Sequence, residues 1–343
     1  MKFMKKLFGE SVTNSANDFT ELDLPWELEQ AINELGFRDC TPIQKEVLPQ
    51  SIDGSDIIAQ AQTGTGKTAA FLISMITYHI ENPELSARKA GTPFALIIAP
   101  TRELVMQIAD DAEKLSAYTK ICIVPIVGGI DYEKQKQFMQ STVDIVVATP
   151  GRLLDFCRSN IIDLSKVESL VIDEADRMLS MGFIPDVKNI IRRTPHKERR
   201  QTQLFSATLS EDIQRLAKSW TLNPLLVHIK PEEIAVGSVT QLVYLTSESD
   251  KFKVLFNILK SAEVTKTIIF VNRRDQTRNL EEDLYRYQIS TGLLTGDVPQ
   301  KRRIRTLEQF KSGKIEVLVA TDVAGLSLIH ISEPTRQEAI SYA

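Results

Sequence analysis

Short runs of apolar residues alternate with longer amphipathic segments along most of the chain. In the N-terminal part, the strand-like runs are Asp56 to Ala59, Ala95 to Ala99, Ile121 to Val127, Asp144 to Ala148, Leu170 to Ile172, Gln203 to Phe205 and Leu225 to Ile229. Apolarity is continuous within these runs rather than alternating, which indicates strands buried on both faces. The pattern predicts an α/β fold in which a parallel sheet carries helices on each side.

A second series of strands and helices follows a polar stretch that contains Pro231 and Gly237. Its predicted strands are Gln241 to Leu245, Thr267 to Val271, Gly292 to Leu294 and Ile315 to Ala320, and its predicted helices are Lys251 to Leu259, Arg274 to Tyr287 and Gln300 to Lys311. We therefore divide the chain into a flexible arm (1–17), a first α/β domain (18–230), a linker (231–238), a second α/β domain (239–324) and a tail (325–343).

Composition fits two ordinary globular domains and excludes several classes of protein. The chain has 343 residues, 43% of them hydrophobic, and a formal net charge of −4, which argues against a polycation that coats nucleic acid. The three cysteines (Cys40, Cys122 and Cys157) are too far apart to make a metal motif and favour a reducing compartment. No apolar run approaches the length of a membrane span, so we expect a cytoplasmic protein without a membrane partner.

The stretch Ala61 to Thr68 (AQTGTGKT) lies between a predicted strand and a predicted helix. Glycines in such a loop let backbone N–H groups turn towards an anion, and the following helix adds the positive end of its dipole. The lysine side chain then reaches the β- and γ-phosphates, and the threonine hydroxyl binds Mg²⁺. The arrangement predicts a nucleotide-binding phosphate loop with Gly64, Thr65, Gly66, Lys67 and Thr68 as its working residues.

Two carboxylates, Asp173 and Glu174, directly follow the predicted strand Leu170 to Ile172. Open parallel sheets bind ligands at the edge where their strands end. Asp173 is suited to hold the Mg²⁺ of the nucleotide, and Glu174 to orient and deprotonate an attacking water molecule. With Lys67, these residues are the predicted catalytic group for hydrolysis of a nucleoside triphosphate.

Small polar clusters recur at the ends of other predicted strands of the first domain. They are Pro100 to Leu104, Gly128-Gly129, Thr149 to Arg152 and Ser206 to Thr208. Threonine hydroxyls, arginines and helix-opening N–H groups on one edge suit a phosphate backbone and have little capacity to read bases. Taken singly, each cluster is also an ordinary turn or helix cap.

In order and spacing, these motifs resemble the motif series of the DEAD-box ATP-dependent RNA helicases, and the bacterial degradosome-associated members look nearest. The residues that carry the resemblance are Phe19, Gly36-Phe37, Thr41 to Gln44, Ala61 to Thr68, Pro100 to Leu104, Gly128-Gly129, Thr149 to Arg152, Asp173 to Asp176 and Ser206 to Thr208. The family likeness extends from about Phe19 to Ala324. It implies two RecA-like domains, the second of them incomplete here.

The resemblance also implies roles for individual residues. Phe19 would stack on the adenine of ATP and Gln44 would read its edge, while Asp322 would face the ribose. Asp176 would couple ATP hydrolysis to RNA binding through Ser206 and Thr208. The residues expected to contact the RNA backbone are Thr101, Arg102, Gly129, Thr149 and Arg152 in the first domain and Arg273, Gly296 and Thr321 in the second.

The likeness stops after Ala324, where the chain reads Gly325-Leu326-Ser327-Leu328-Ile329-His330. The family would continue with Ala-Arg-Gly-Leu-Asp and later with an arginine-rich segment that supplies the arginine finger. We therefore interpret residues 325–343 as an aberrant tail on a C-terminally truncated helicase.

Three functions follow from these patterns. The first is an ATP- and Mg²⁺-dependent RNA helicase that unwinds short duplexes, with the RNA-degradation machinery as a candidate partner. The second is an ATP-regulated RNA-binding or scaffold protein without unwinding, because the arginine-finger segment is missing. A DNA translocase is disfavoured, and no DNA specificity is expected, because Phe19 and Gln44 complete the adenine-reading element of the RNA-acting family.

Overall fold

Strands and helices alternate as the apolar pattern predicts in the computed structural model, which describes residues 18–229, 242–261, 266–321 and 338–342. The chain divides into two units, Met1–Glu233 and Ile234–Ala343. The strands are β1 (Ile57–Gln60), β2 (Ala95–Ile98), β3 (Ile123–Ile126), β4 (Ile145–Ala148), β5 (Ser169–Ile172), β6 (Gln201–Ser206), β7 (Leu225–His228), β8 (Thr267–Val271), β9 (Thr291–Leu294), β10 (Val317–Ala320) and β11 (Glu338–Tyr342).

Among the described residues, two α-helices precede β1 and the others lie between successive strands, as parallel pairing requires. They are α1 (Trp26–Glu34), α2 (Pro42–Ile52), α3 (Lys67–Glu81), α4 (Arg102–Leu115), α5 (Tyr132–Phe138), α6 (Pro150–Arg158), α7 (Ala175–Ser180), α8 (Ile184–Ile191), α9 (Glu211–Trp220), α10 (Lys251–Lys260), α11 (Arg274–Arg286) and α12 (Gln300–Lys311).

The first unit is built on a seven-stranded parallel sheet in the order β3-β4-β2-β5-β6-β1-β7. Alternate residues of β1 pack into different cores: Ile57 and Ala59 belong to the apolar cluster on one face, and Ile58 belongs to the cluster on the other. Strands β2, β4 and β5 are buried along their whole length. The predicted doubly covered parallel sheet is thus confirmed.

The second unit contains a smaller parallel sheet in the order β11-β8-β10-β9. Successive residues of its strand β10 again pack into different apolar clusters, with Leu318 in one and Val319 in the other. The strand predicted at Gln241 to Leu245 is wrong over its described residues, because 242–245 lie in coil. Val243 and Leu245 are 87% and 97% exposed there. An apolar run is a strand only when a neighbouring strand pairs with it and covers a face.

Residues 338–342, within the stretch interpreted as an aberrant tail, form β11 and pair in parallel with β8. This pairing covers an edge of β8 that would otherwise present unpaired backbone N–H and C=O groups. The interpretation of residues 325–343 as aberrant sequence stays a prediction. Residues 322–337 lie outside the described part of the chain, as does the whole of the predicted linker 231–238.

A buried polar cluster closes the amino-terminal edge of the first sheet. Asp144 lies just before β4 and accepts from Arg88 Nη2 at 2.7 Å and from the Cys122 N–H at 2.8 Å, and His79 Nε2 lies 3.3 Å from its Oδ1. Burial, the largest single influence, opposes ionisation of the Asp144 carboxyl. The hydrogen bonds from His79 and Cys122, together with the charges of His79 and Arg88, outweigh it and lower its pKa below the usual range.

We expect Asp144→Asn to lower the free energy of unfolding by about 3 kcal/mol at pH 7, because it leaves a buried guanidinium without its anion. Since folding lowers the pKa of Asp144, the loss should be complete above the unfolded-state pKa and should shrink as the pH falls below about 4. Urea denaturation followed by tryptophan fluorescence measures this for the first unit, which contains both Trp26 and Trp220.

The exposed pair Lys114–Asp110, 51% and 61% exposed, provides the control. Asp110→Asn should change the unfolding free energy by less than about 0.5 kcal/mol, because water and salt screen surface ion pairs. Equal effects of the two substitutions would contradict a structural role for the Asp144 cluster.

Candidate active site at the carboxyl edge of the first sheet

The predicted phosphate loop connects β1 to α3. Gly64 and Gly66 have φ angles of 79° and 93°, in the left-handed region that glycine adopts without steric cost. Lys67, the first residue of α3, is 6% exposed, and its Nζ donates to the carbonyl oxygen of Ala61 at 3.0 Å. The lysine ammonium therefore lies within the loop, where it faces backbone oxygen rather than solvent.

Gln44 ties helix α2 to this loop. Its Oε1 accepts from the Thr41 N–H at 2.9 Å and its Nε2 donates to the Gly66 carbonyl oxygen at 3.2 Å. A Cβ atom at Gly66 would lie 2.6 Å from Gln44 Nε2, so only glycine permits this approach. The structure thus brings together Gln44 and the phosphate loop, two elements of the predicted nucleotide site.

Phe19 is 6% exposed and stacks on Phe37, with ring centroids 6.4 Å apart and an interplanar angle of 24°. Both rings lie in the segment that leads to Gln44. The stacking of Phe19 on adenine stays a prediction, because its ring is largely covered by the core here.

The acidic pair follows β5. Asp173 and Glu174 are 2% and 3% exposed, and the Glu174 N–H donates to Asp173 Oδ1 at 2.9 Å. Glu174 has a φ of 54°, a left-handed conformation that costs a non-glycine residue about 1–3 kcal/mol and occurs most often at functional sites. Its Oε2 accepts from Arg177 Nη1 at 3.0 Å.

Asp176 joins this acidic segment to the end of β6. Its Oδ2 accepts from both the N–H and the hydroxyl of Thr208 at 2.9 Å, and its own N–H donates to Ser206 Oγ at 3.1 Å. The three predicted coupling residues therefore form one hydrogen-bonded junction. The junction holds the Ser206-Ala207-Thr208 loop against the segment that carries Asp173 and Glu174.

Two guanidinium groups meet the loop that follows β3. Arg102 packs against Gly128 and Gly129, so closely that a Cβ at Gly129 would lie 2.2 Å from its Nη1. Arg152 donates to the Ile130 carbonyl oxygen at 3.4 Å and lies over the Tyr132 ring. Three of the predicted RNA-binding residues thus share one surface.

The two predicted RNA-binding threonines of this unit stand at helix starts. Thr101 is the N-cap of α4 and its hydroxyl accepts from the Leu104 N–H at 3.2 Å. Thr149 is the N-cap of α6, and its N–H donates to the Ile126 carbonyl oxygen at 3.1 Å. Both residues therefore lie at the same carboxyl edge as the arginines.

In the second unit, the predicted residues also gather at strand ends. Thr321 follows β10 and donates from its N–H to Leu294, the last residue of β9, close to Gly296 in sequence. Arg273 precedes α11 and pairs with Asp275 at 3.0 Å, both side chains being exposed. Asp322 lies outside the described residues, so its role at the ribose stays a prediction.

Two supporting residues lie outside the motifs identified in the sequence. Gln135 on α5 is 4% exposed and grips the loop after β3: its Oε1 accepts from the Val127 N–H at 2.9 Å and its Nε2 donates to the Val127 carbonyl oxygen at 3.1 Å. Arg177 pairs with Glu174 across one helical turn. The i,i+3 spacing of opposite charges was a readable signal for Arg177, whereas a lone inward glutamine such as Gln135 gives none.

Two absences limit the chemistry of the described part of the chain. There, no group of three or more His, Cys, Asp or Glu side chains is placed to hold a metal ion by protein ligands alone. Over the same residues, no helix is both long enough and apolar enough to cross a bilayer.

Comparison with known proteins gives matches over both units. The DEAD/DEAH box helicase model matches residues 41–216, and the helicase conserved C-terminal domain model matches residues 250–329. The ATP-dependent RNA helicase RhlB of Pseudomonas aeruginosa is 54% identical over 91% of this chain and 79% of its own length. RhlB of Shewanella denitrificans is 43% identical over 93% of this chain and 74% of its own length.

Among solved structures, S. cerevisiae Dbp5 bound to RNA and ADP BeF3 superposes with a TM-score of 0.78 at 33% identity. The superposition covers 90% of this chain and 76% of the Dbp5 chain. Because the match spans both parallel sheets, it agrees with the two-domain α/β architecture described above.

We expect Gly129→Ala to displace the Arg102 guanidinium and to lower the free energy of unfolding by about 1–2 kcal/mol, the cost of a left-handed backbone for alanine. Gly151 gives a matched control, because it lies in α6 with open space around its Cβ position. Gly151→Ala should leave stability unchanged or raise it by up to about 1 kcal/mol. Urea denaturation measures both variants, and equal stability of Gly129→Ala and the wild type would contradict the strained loop.

Proposed function

Because the chain belongs to the DEAD-box RNA helicases, of the RhlB type, we propose that it binds the RNA backbone and locally unwinds short duplexes in a cycle driven by ATP hydrolysis. The observation that carries the proposal is the junction of Asp176 with Ser206 and Thr208. This junction links the acidic pair to the end of β6. A structural change at the nucleotide would therefore alter the loop through which RNA binding is expected to be coupled.

The phosphate loop supplies the ATP side of the cycle. Gly64, Thr65 and Gly66 direct backbone N–H groups to the phosphates, at the start of α3. The Lys67 ammonium would exchange its backbone acceptor, Ala61, for phosphate oxygens, which are charged and therefore stronger acceptors. Phe19 and Gln44 would select adenine.

Mg²⁺ fits the donors at this edge. Thr68 offers a hydroxyl at the start of α3 and Asp173 a buried carboxylate at the end of β5, and hard oxygen ligands of this kind, completed by phosphates and water, are what the ion prefers. When bound, the ion neutralises charge on the phosphates. Glu174 then acts as the general base for the attacking water, with its carboxylate restrained by Arg177.

RNA would lie along the carboxyl edges of both sheets. In the first unit, Arg102 and Arg152 converge on the loop at Gly129, and Thr101 and Thr149 open helices whose N-termini favour phosphate. In the second unit, Arg273, Gly296 and Thr321 are the residues proposed to contact RNA. Contacts of this type bind the sugar-phosphate backbone and the 2′-OH, and they do not read base sequence.

Coupling between the ligands follows from linkage. If ATP and RNA each bind better when the two units act together, each ligand raises the affinity for the other by the same factor. Hydrolysis then removes the contribution of ATP and releases the RNA. Asp176, Ser206 and Thr208 are the residues through which the two sites would communicate.

An ATP-regulated RNA-binding protein without unwinding activity is the second candidate. It is favoured by the sequence after Ala324, which departs from the family pattern where residues leading to the arginine finger are expected. The two candidates predict the same RNA binding and differ in the displacement of a labelled strand from a short duplex. The RNA-degradation machinery as a partner is a proposal that rests on the resemblance to degradosome-associated members. A cytoplasmic location is a proposal that rests on the cysteines, whose spacing favours a reducing compartment.

We expect Glu174→Gln to reduce ATP turnover by at least about 100-fold, because the amide cannot accept the proton of the attacking water. ATP-dependent binding of a fluorescent RNA should persist, since the substitution keeps the size of the side chain. Steady-state ATPase assays with and without RNA, and anisotropy of the labelled RNA, measure the two properties.

Lys67→Ala defines the background of both assays, because it removes the phosphate-binding ammonium. A turnover rate in Glu174→Gln comparable to that of the wild type would remove the base assignment. A wild-type rate that depends on Lys67 and does not respond to RNA would reject the coupled cycle.

A further inference from the structure

A chain of side-chain hydrogen bonds runs across the ends of three adjacent strands. Gln60 Nε2 donates to the Ala207 carbonyl oxygen at 3.2 Å, and Gln60 Oε1 lies 3.1 Å from His228 Nδ1. Gln60 ends β1, His228 ends β7, and Ala207 follows β6. None of the motifs identified in the sequence contains Gln60 or His228.

The direction of these hydrogen bonds follows from the groups themselves. The Ala207 carbonyl can only accept, so the amide nitrogen of Gln60 faces it and the amide oxygen faces His228. His228 must then donate from Nδ1, which fixes the tautomer with its proton on that nitrogen or the doubly protonated ring. His228 therefore complements the amide orientation that the Ala207 carbonyl selects.

Strand register makes the arrangement specific. Gln60 is the partner of Ser206 on one side and of His228 on the other. Backbone hydrogen bonds extend the pairing beyond the strands, from the Ala61 N–H to Ser206 at 3.0 Å and from the Ile229 N–H to Gln60 at 2.9 Å. The three strand ends are thus locked at one level of the sheet.

The Ser206-Ala207-Thr208 loop is consequently held from two directions. Asp176 binds its outer residues, Ser206 and Thr208, from the side of β5. Gln60 binds its central carbonyl from the side of β1. Without the Gln60 side chain, the backbone bond from the Ala61 N–H to Ser206 remains, but the central carbonyl of the loop loses its side-chain donor.

We infer that Gln60, held by a hydrogen bond with His228, is a positioning residue that fixes the Ser206-Ala207-Thr208 loop opposite Asp176 and so sets the response of ATP hydrolysis to RNA. The inference rests on the proposed function for its consequence in catalysis. Gln60 and His228 have no assigned contact with ATP or RNA, and they act through the loop. The RNA-dependent step should therefore depend on them more strongly than the RNA-free step does.

Gln60→Glu is the sharpest test, because the carboxylate keeps the size and the acceptor for His228 but cannot donate to Ala207. The RNA concentration for half-maximal stimulation should rise about tenfold, as expected for the loss of one hydrogen bond that leaves its acceptor unpaired. The KM for ATP and the RNA-free rate should stay near those of the wild type. An equal fall of RNA-free and RNA-stimulated rates would overturn the inference, since it would indicate general damage.

His228 supplies a matched pair of variants. His228→Asn retains an N–H donor for Gln60 Oε1 and should behave like the wild type, whereas His228→Ala should show part of the Gln60→Glu defect. In a double-mutant cycle, Gln60→Glu combined with Thr208→Ala should be less than additive, because both substitutions loosen the same loop. Fully additive effects would contradict action through the loop.

Hydrogen exchange separates this inference from the proposed function. In the protein without RNA, the Thr208 amide, which donates to Asp176, should exchange faster in Gln60→Glu than in the wild type or in His228→Asn. Unchanged exchange would overturn the positioning role. A wild-type protein whose ATPase ignores RNA would reject the proposed function, while the exchange measurement would still decide whether Gln60 fixes the loop.

Discussion

The burial of strand β1 on both faces is the constraint on which the first unit depends. Its side chains Ile57, Ile58 and Ala59 lie in two separate apolar cores. A polar side chain at any of these three positions would therefore be buried without a partner. At the amino end, the carboxylate of Asp56 accepts from the Thr202 N–H at 2.7 Å and from the Leu222 N–H at 2.6 Å, which fastens β1 to both neighbouring segments. At the carboxyl end, the chain leaves the apolar cores and continues as the polar phosphate loop.

The same constraint concentrates chemistry at one edge of the sheet. Strands β2, β5 and β6 run parallel to β1 and are buried, and the polar residues that follow their carboxyl ends therefore lie at that edge. These polar groups partly satisfy one another: Lys67 donates to its own loop, Asp176 accepts from Thr208, and Gln60 donates to Ala207. A ligand that binds to one of these groups therefore replaces one of these hydrogen bonds. The former partner of that group is then released, and its movement can pass the effect of binding to the neighbouring strand end.

The sequence was informative where one physical effect acts alone. Continuous apolar runs identified the buried strands, and the Gly-Lys-Thr loop and the Asp173-Glu174 pair were readable because backbone freedom and charge are local properties. The family membership inferred from these motifs is confirmed by the match to relatives. The strand predicted at Gln241 to Leu245 failed because pairing needs a neighbour that local apolarity cannot supply. Gln135 was missed because its role depends on the tertiary contact of α5 with the loop after β3.

The arginines expected to bind the RNA phosphates differ in their present hydrogen-bond partners. This difference determines which group a phosphate has to displace at each arginine. In the first unit, Arg152 donates to a backbone carbonyl, a neutral partner that a charged phosphate readily replaces. In the second unit, Arg273 is paired with Asp275, and the neighbouring Arg278 with Asp297. Because these pairs are exposed and screened by water, phosphate competes with carboxylates there, and the competition weakens the attraction at each contact. A phosphate that binds at Arg273 must therefore displace the Asp275 carboxylate, whereas at Arg152 it replaces a neutral carbonyl oxygen.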